Sequence, residues 1–241
     1  MHFQYFALSL LLAFAGAAPT KGSGHTTPTK PGSTTPNKPG DTTPTQSGVT
    51  TSTKPEPVPE YMTVATCKAM MDPTKAKKAL FWSGCGNKAK NALTNKKDYP
   101  YLAGYEVMRG IFKQPWPKDY NTFKDGFKTK DQDTQITADH SFWDACSQAL
   151  AGLAAAAGGD AYIMMPGTDA SKGIDWGDRA TSHWAQHEYP IICKGTAVTK
   201  LYRLSATDAK VKEDITDLMV AQRTAGKCPP LSKVTGGGED D

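Results

Sequence analysis

From Tyr61 onward, apolar positions come in short runs separated by Pro, Gly and charged clusters. The length and ending of each run predict an element. Ala79–Trp82 is an apolar run closed by Ser83-Gly84 and reads as a buried strand and turn. Cys85–Leu93 and Tyr101–Phe112 read as helices, and Lys113–Thr137, rich in Pro, Lys and Asp, reads as loop. Phe142–Ala157 is dominated by Ala and Leu and closed by Gly158-Gly159, which predicts a long helix. Asp160–Met165, ended by Pro166-Gly167, predicts a second buried strand, and Thr168–Arg179 a loop. Tyr189–Cys193 and Thr196–Leu204 predict two further strands. Thr207–Ala225 predicts an amphipathic helix with Val211, Ile215, Leu218 and Met219 on one face and Gly226 as its stop. Strands alternating with helices predict the α/β class: a small, mostly parallel sheet flanked by helices.

Upstream of this region the pattern changes twice. Phe3–Ala18 is almost continuously apolar and ends in small residues, with Ala15-Gly16-Ala17 as a cleavage site, so 1–17 reads as a secretory signal peptide. From His25 the chain repeats with a period of eight, as in His-Thr-Thr-Pro-Thr-Lys-Pro-Gly and Ser-Thr-Thr-Pro-Asn-Lys-Pro-Gly. These repeats have almost no apolar side chains to offset the entropy of ordering them, so 18–60 reads as a disordered, extended stalk. Its threonines beside prolines suit O-glycans. The folded domain is expected over 61–233, with 234–241 as a disordered polar tail. No second long apolar run follows the leader, so neither a membrane span nor a lipid-anchor signal is expected.

The net charge of +4 is mild, and lysines alternate with acids, as in Lys124–Asp131. That is the pattern of a solvated surface and not of a nucleic-acid groove. The five cysteines, Cys67, Cys85, Cys146, Cys193 and Cys228, are widely spaced, which argues against zinc. In a secreted chain they predict two bridges and one remaining thiol, with the pairing open.

Three short stretches carry candidate chemistry. Trp82-Ser83-Gly84 falls at the carboxyl end of a strand, where α/β sheets bind ligands, and its backbone N–H groups are expected to open a helix toward a phosphate. Trp143 lies in the first turn of the long helix. Taken alone, each tryptophan is as well explained by the core. Two indoles facing one crevice would form a slot for a planar cation. Glu188 is the carboxylate that completes the set. His183 and His187 would share a helix face with each other, but the order is not His-Glu-x-x-His and Pro190 is expected to end any helix, so no metal site is expected. Mid-helix Cys146 reads as inert.

Ala79-Leu80-Phe81-Trp82-Ser83-Gly84, Leu102-Ala103-Gly104-Tyr105, Ser141-Phe142-Trp143 and His187-Glu188-Tyr189-Pro190 resemble, in the same order, motifs of the ADP-ribosyl cyclases. The resemblance spans about residues 77–205 and includes the strand Thr196–Leu204. It implies that Glu188 is the catalytic glutamate, that Trp82 and Trp143 position nicotinamide, that Ser83 lies near the phosphates, and that Trp184 stands at the pocket wall. Asp98 is displaced by one position from a family glutamate that influences the balance between cyclisation and hydrolysis. The family's N-terminal helical part is reduced here, its place taken by the stalk.

The implied activity is cleavage of NAD, the substrate, with no further cofactor. The leaving group is a pyridinium that departs as neutral nicotinamide and needs no proton. An O-glycosidase needs an acid beside its second carboxylate, whereas here one anion in a dry site suffices for the oxocarbenium-like ribosyl centre. Water then gives ADP-ribose, and attack by the adenine ring gives cyclic ADP-ribose. Two other readings fit parts of the chain. One is a non-catalytic, secreted nucleotide- or glycan-binding effector on a glycosylated stalk. The other is a transferase that modifies a protein with ADP-ribose.

Overall fold

Residues 60–167 and 180–236 are described in the computed structural model of this chain. The expected signal peptide, nearly all of the stalk and the 168–179 loop lie outside them. The described residues belong to one unit, Lys54–Asp241.

The chain starts with α1 (Val64–Met70) and α2 (Pro73–Ala76), each capped by its own sequence. Thr63 Oγ1 accepts the Thr66 N–H, and Asp72 Oδ1 accepts the Thr74 N–H. β1 (Leu80–Trp82) and α3 (Gly86–Thr94) follow, close to their expected bounds. The helix expected over Tyr101–Phe112 is instead a 3₁₀ turn (Pro100–Leu102) and the short α4 (Met108–Ile111). Gly104, at φ +78°, breaks the helical path between them, and Glu106 bridges to Ala79 beside β1.

The stretch expected as loop over Lys113–Thr137 holds α5 (Lys118–Asp125) and the start of α6 (Gln132–Ala157). Tyr120 and Phe123 of α5 turn their rings onto Phe142, at 5.0 and 5.5 Å between centroids. Asp131 caps α6 through the Thr134 N–H (2.9 Å) and hydroxyl (2.7 Å). The long helix therefore begins ten residues before Phe142. Its first turns are polar and mostly exposed, so the apolar pattern does not reveal them.

Gly158 and Gly159 turn α6 directly into β2 (Gly159–Met165). Both have positive φ, and a Cβ on Gly158 would lie 2.6 Å from the Ala197 carbonyl oxygen. Beyond the 168–179 segment come a π-helix (Trp184–Glu188) and α7 (Tyr189–Lys194), then β3 (Val198–Ser205), β4 (Lys212–Asp214) and α8 (Thr216–Thr224). The strand expected over Tyr189–Cys193 is thus a helix: a five-residue apolar run has no period that separates the two. Pro190 sits in the first turn of α7, where its missing N–H costs nothing.

The helix expected over Thr207–Ala225 is confined to α8. Ser205 Oγ accepts the N–H groups of Thr207 and Asp208, and Asp208 Oδ1 accepts that of Lys210. These local bonds turn the chain so that Lys212–Asp214 pairs with β3. Met219 and Ile215 are buried as expected, whereas Leu218 faces solvent.

The sheet order is β1-β2-β3-β4, parallel except for the edge strand β4. Side chains alternate cleanly. Phe81, Ile163, Met165 and Leu201 pack with Phe142, Ala145, Ala149 and Leu150 of α6. Leu80, Tyr162, Met164 and Leu204 join Ala89, Ala92 and Leu102 on the other face. Disulfides Cys67–Cys146 and Cys193–Cys228 tie α1 to α6 and α7 to the segment that follows α8, and Cys85 remains a buried thiol. Among the described residues, no helix is long and apolar enough to cross a membrane.

Candidate active site

Parallel strands end together, and the groove outside their carboxyl ends is open. Here it is a cleft of about 810 Å³, a volume suited to a small organic ligand. β1 delivers Trp82 as its last residue, with Ser83 and Gly84 following on the cleft wall. The indole lies against the start of α3, where Gly86 leaves room for it: a Cβ there would meet the ring at 2.9–3.2 Å. The helix starts at Gly86, not at Ser83. The Ser83 N–H donates to the Met164 carbonyl at 3.0 Å, extending the β1–β2 ladder. That N–H is therefore unavailable to the phosphate expected from sequence, although Ser83 itself lines the cleft.

α6 runs under the sheet and presents Trp143, Ser147 and Leu150. Trp143 is wedged among Trp116, Tyr120 and Phe142, with ring centroids 5.3–5.6 Å away. From α4, the Arg109 guanidinium lies over Trp116 (5.1 Å) and Trp143 (5.8 Å) and also lines the cleft.

The third wall is the π-helix. The Tyr189 N–H reaches back five residues to the Trp184 carbonyl, and the Ser182 hydroxyl accepts the Ala185 N–H at 3.1 Å. The wider turn ends at Glu188, which is 5% exposed and faces the cleft. Among the described lining residues, Glu188 is the sole carboxylate. Its helix is fixed beyond it as well. Arg223 of α8 donates to the carbonyls of Cys193 (2.7 Å) and Gly195 (2.8 Å) at the end of α7. The Tyr189 hydroxyl donates to Gln222 at 2.6 Å.

Asp144, next to Trp143, anchors the same helix from below. Its Oδ1 lies 3.2 Å from Nε2 of both His183 and His187. Its Oδ2 accepts from the Thr235 N–H (3.1 Å) and hydroxyl (2.6 Å). Burial pushes the Asp144 pKa up. The hydrogen bonds from His183, His187 and Thr235 outweigh that and hold the carboxyl far below the usual carboxylate range. The bond to Asp144 raises the His183 pKa against the opposing effect of burial, with Glu188 adding to the rise. Gln148 Nε2 lies 3.0 Å from His187 Nδ1 and donates to the Ser232 carbonyl (2.8 Å), so both His187 ring nitrogens have polar partners. Ser232 also donates its N–H to the Gln186 carbonyl at 3.0 Å. The residues after Cys228, part of them expected as a disordered tail, thus form a strap held at Ser232 and Thr235.

The structure therefore gathers Trp82, Ser83, Gly84, Trp143 and Glu188 at one cleft. It does not gather the other two expected residues. Trp184 is 2% exposed and sits in the core against Phe81 and Tyr189, because the π-helix turns that face toward the sheet. Asp98 lies on the exposed turn after α3, where it accepts from Asn95 Nδ2 at 2.7 Å. Arg109 and Asp144 escape the sequence reading. The fourfold spacing of His183 and His187 is the trace of Asp144, since it puts both rings on one helical face. Among the described residues, no group of three or more His, Cys, Asp or Glu side chains is arranged to hold a metal ion.

No family model, curated protein or solved structure matches this chain.

Proposed function

We propose that this protein is a secreted enzyme that cleaves the nicotinamide–ribose bond of NAD, releasing nicotinamide and giving ADP-ribose, with cyclic ADP-ribose as the product when the adenine ring is the nucleophile. The observation that carries this reading is the meeting of Glu188, Trp82 and Trp143 at one cleft from elements far apart in sequence. The collinear motifs resembling the ADP-ribosyl cyclases support it. The two disulfides suit an oxidising, extracellular setting.

The indoles line the cleft, and their electron-rich rings suit contact with the cationic nicotinamide ring. Glu188, withdrawn from bulk water, stabilises positive charge as it grows on the ribose C1. The C1–N bond breaks with its electron pair going to the ring, so the leaving group is neutral and needs no acid. A single carboxylate is therefore chemically sufficient.

Purified protein is expected to release nicotinamide from NAD, with the products resolved by chromatography. Glu188→Gln keeps the shape of the side chain and removes its charge, and it is expected to abolish release while leaving the circular dichroism spectrum unchanged. Activity of Glu188→Gln at the level of the unaltered protein sinks the assignment.

A further inference from the structure

The carboxylate of Asp144 serves two histidines that end up in different situations. His187 is 3% exposed, and both ring nitrogens are engaged, Nε2 by Asp144 and Nδ1 by Gln148. The His183 side chain is 48% exposed and lines the cleft. Among the described residues, only its Nε2 is taken, by the same Asp144 oxygen at 3.2 Å. A ring oriented in this way by a buried carboxylate keeps Nδ1 as the nitrogen available to a cleft ligand, which is the arrangement of a general base and its orienting partner. Glu188 stands five residues further along the same helical segment and faces the same cleft.

Resting on the NAD-cleaving reading, we propose that His183, oriented by Asp144, is a second catalytic group: it accepts the proton of the water that traps the ribosyl centre, and so favours hydrolysis over cyclisation. The water oxygen bonds to ribose C1, nicotinamide has already left with the electron pair of the C1–N bond, and one water proton passes to His183 Nδ1 and then to solvent. An adenine ring nitrogen carries no proton to lose, so its attack on C1 does not need this base.

The groups around His183 are Asp144 from α6, Glu188 and His187 on its own helical segment, and Arg109 across the cleft from α4. Asp144 and Glu188 both favour the imidazolium. The base form therefore prevails only above the raised His183 value, and hydrolysis is expected to rise with pH through that region.

The test uses the full chain with NAD and compares His183→Gln with the unaltered protein across pH. Removing a general base of this kind is expected to lower hydrolysis about 10²-fold. It should also erase the histidine limb of the pH profile and raise the cyclic share of the products. Azide, an anion with no proton to lose, is expected to restore nicotinamide release in the variant by forming the 1-azido adduct. His183 is half exposed, so the substitution is compatible with folding, and the azide arm reads the site in the same protein sample. Parallel loss of both products with no azide rescue overturns the proposal in favour of a structural role, and an unchanged rate and product ratio also overturns it. If the unaltered protein releases no nicotinamide, or does so independently of Glu188, the underlying NAD-cleaving reading falls and takes this proposal with it.

Discussion

Gly86 and the indole of Trp82 adjoin so closely that a Cβ on Gly86 would lie 2.9 Å from the ring. The glycine is what leaves room for this indole in the wall of the cleft. Overpacking of this kind typically costs about 1–3 kcal/mol, and here the indole is the part that must shift. Gly86→Ala is therefore expected to raise KM for NAD several-fold and to alter the intrinsic tryptophan fluorescence, with only a modest fall in Tm. Unchanged KM and emission together would contradict a positioning role for this contact.

Asp144→Asn should change the pH dependence of stability in a defined window. The Asp144 carboxyl has a folded value far below its unfolded value of about 4, so its contribution is present above that value and is lost as pH falls through the acid range. The His183 value is raised above about 6.5, so its contribution is complete below that value and is lost as pH rises through the raised one. The advantage of the unaltered protein over Asp144→Asn should peak between about pH 4 and 6.5, at roughly 3 kcal/mol. Urea unfolding at several pH values measures it. A difference that stays flat from acid to alkaline pH would remove the Asp144–His183 pair as its source.

The two disulfides should contribute unequally. Cys67–Cys146 spans 79 residues and Cys193–Cys228 spans 35. Loop-closure entropy assigns them about 4.5 and 3.8 kcal/mol respectively. The paired Ser variants should rank in that order in chemical denaturation. Loss of Cys193–Cys228 should in addition lower NAD cleavage, because the strap it starts holds Asp144 through Thr235. Full activity in the Cys193→Ser/Cys228→Ser protein would show that the strap is dispensable to the site.

Trp184 and Asp98 both lie outside the cleft. Trp184→Phe thins the core between Phe81 and Tyr189, so a stability loss of about 1–3 kcal/mol is expected with little change in KM. Asp98→Asn alters only an exposed turn and should leave the ratio of cyclic to linear product unchanged. A shift in that ratio would return Asp98 to the catalytic surface. Chromatography of the products decides this.

Much of the sheet was legible in advance. The runs Ala79–Trp82, Asp160–Met165 and Thr196–Leu204 are short, apolar and bounded by turn residues, and they became β1, β2 and β3. The misreadings share a cause. Tyr189–Cys193 is apolar over one helical turn and has no period, so only its continuity with the π-helix makes it α7. Thr207–Ala225 has helical spacing throughout, but side-chain hydrogen bonds at Ser205 and Asp208 take over its first half. The polar start of α6 carries its signal in the Asp131–Thr134 cap and not in hydrophobicity.

The sequence alone determined the α/β class and the carboxyl-end placement of Trp82, because these depend on local runs and turn residues, and it brought Glu188 forward through motifs that resemble those of a known family. Tertiary structure alone decided which tryptophan joined the cleft. Trp143 and Trp184 are both aromatic and both sit in helical segments, yet one faces the cleft and the other the sheet. It likewise decided the pairing of the cysteines and the meeting of Asp144 with His183, His187 and Thr235. The physical reason is that a buried carboxylate needs donors from wherever the chain supplies them, and these come from 39 to 91 residues away.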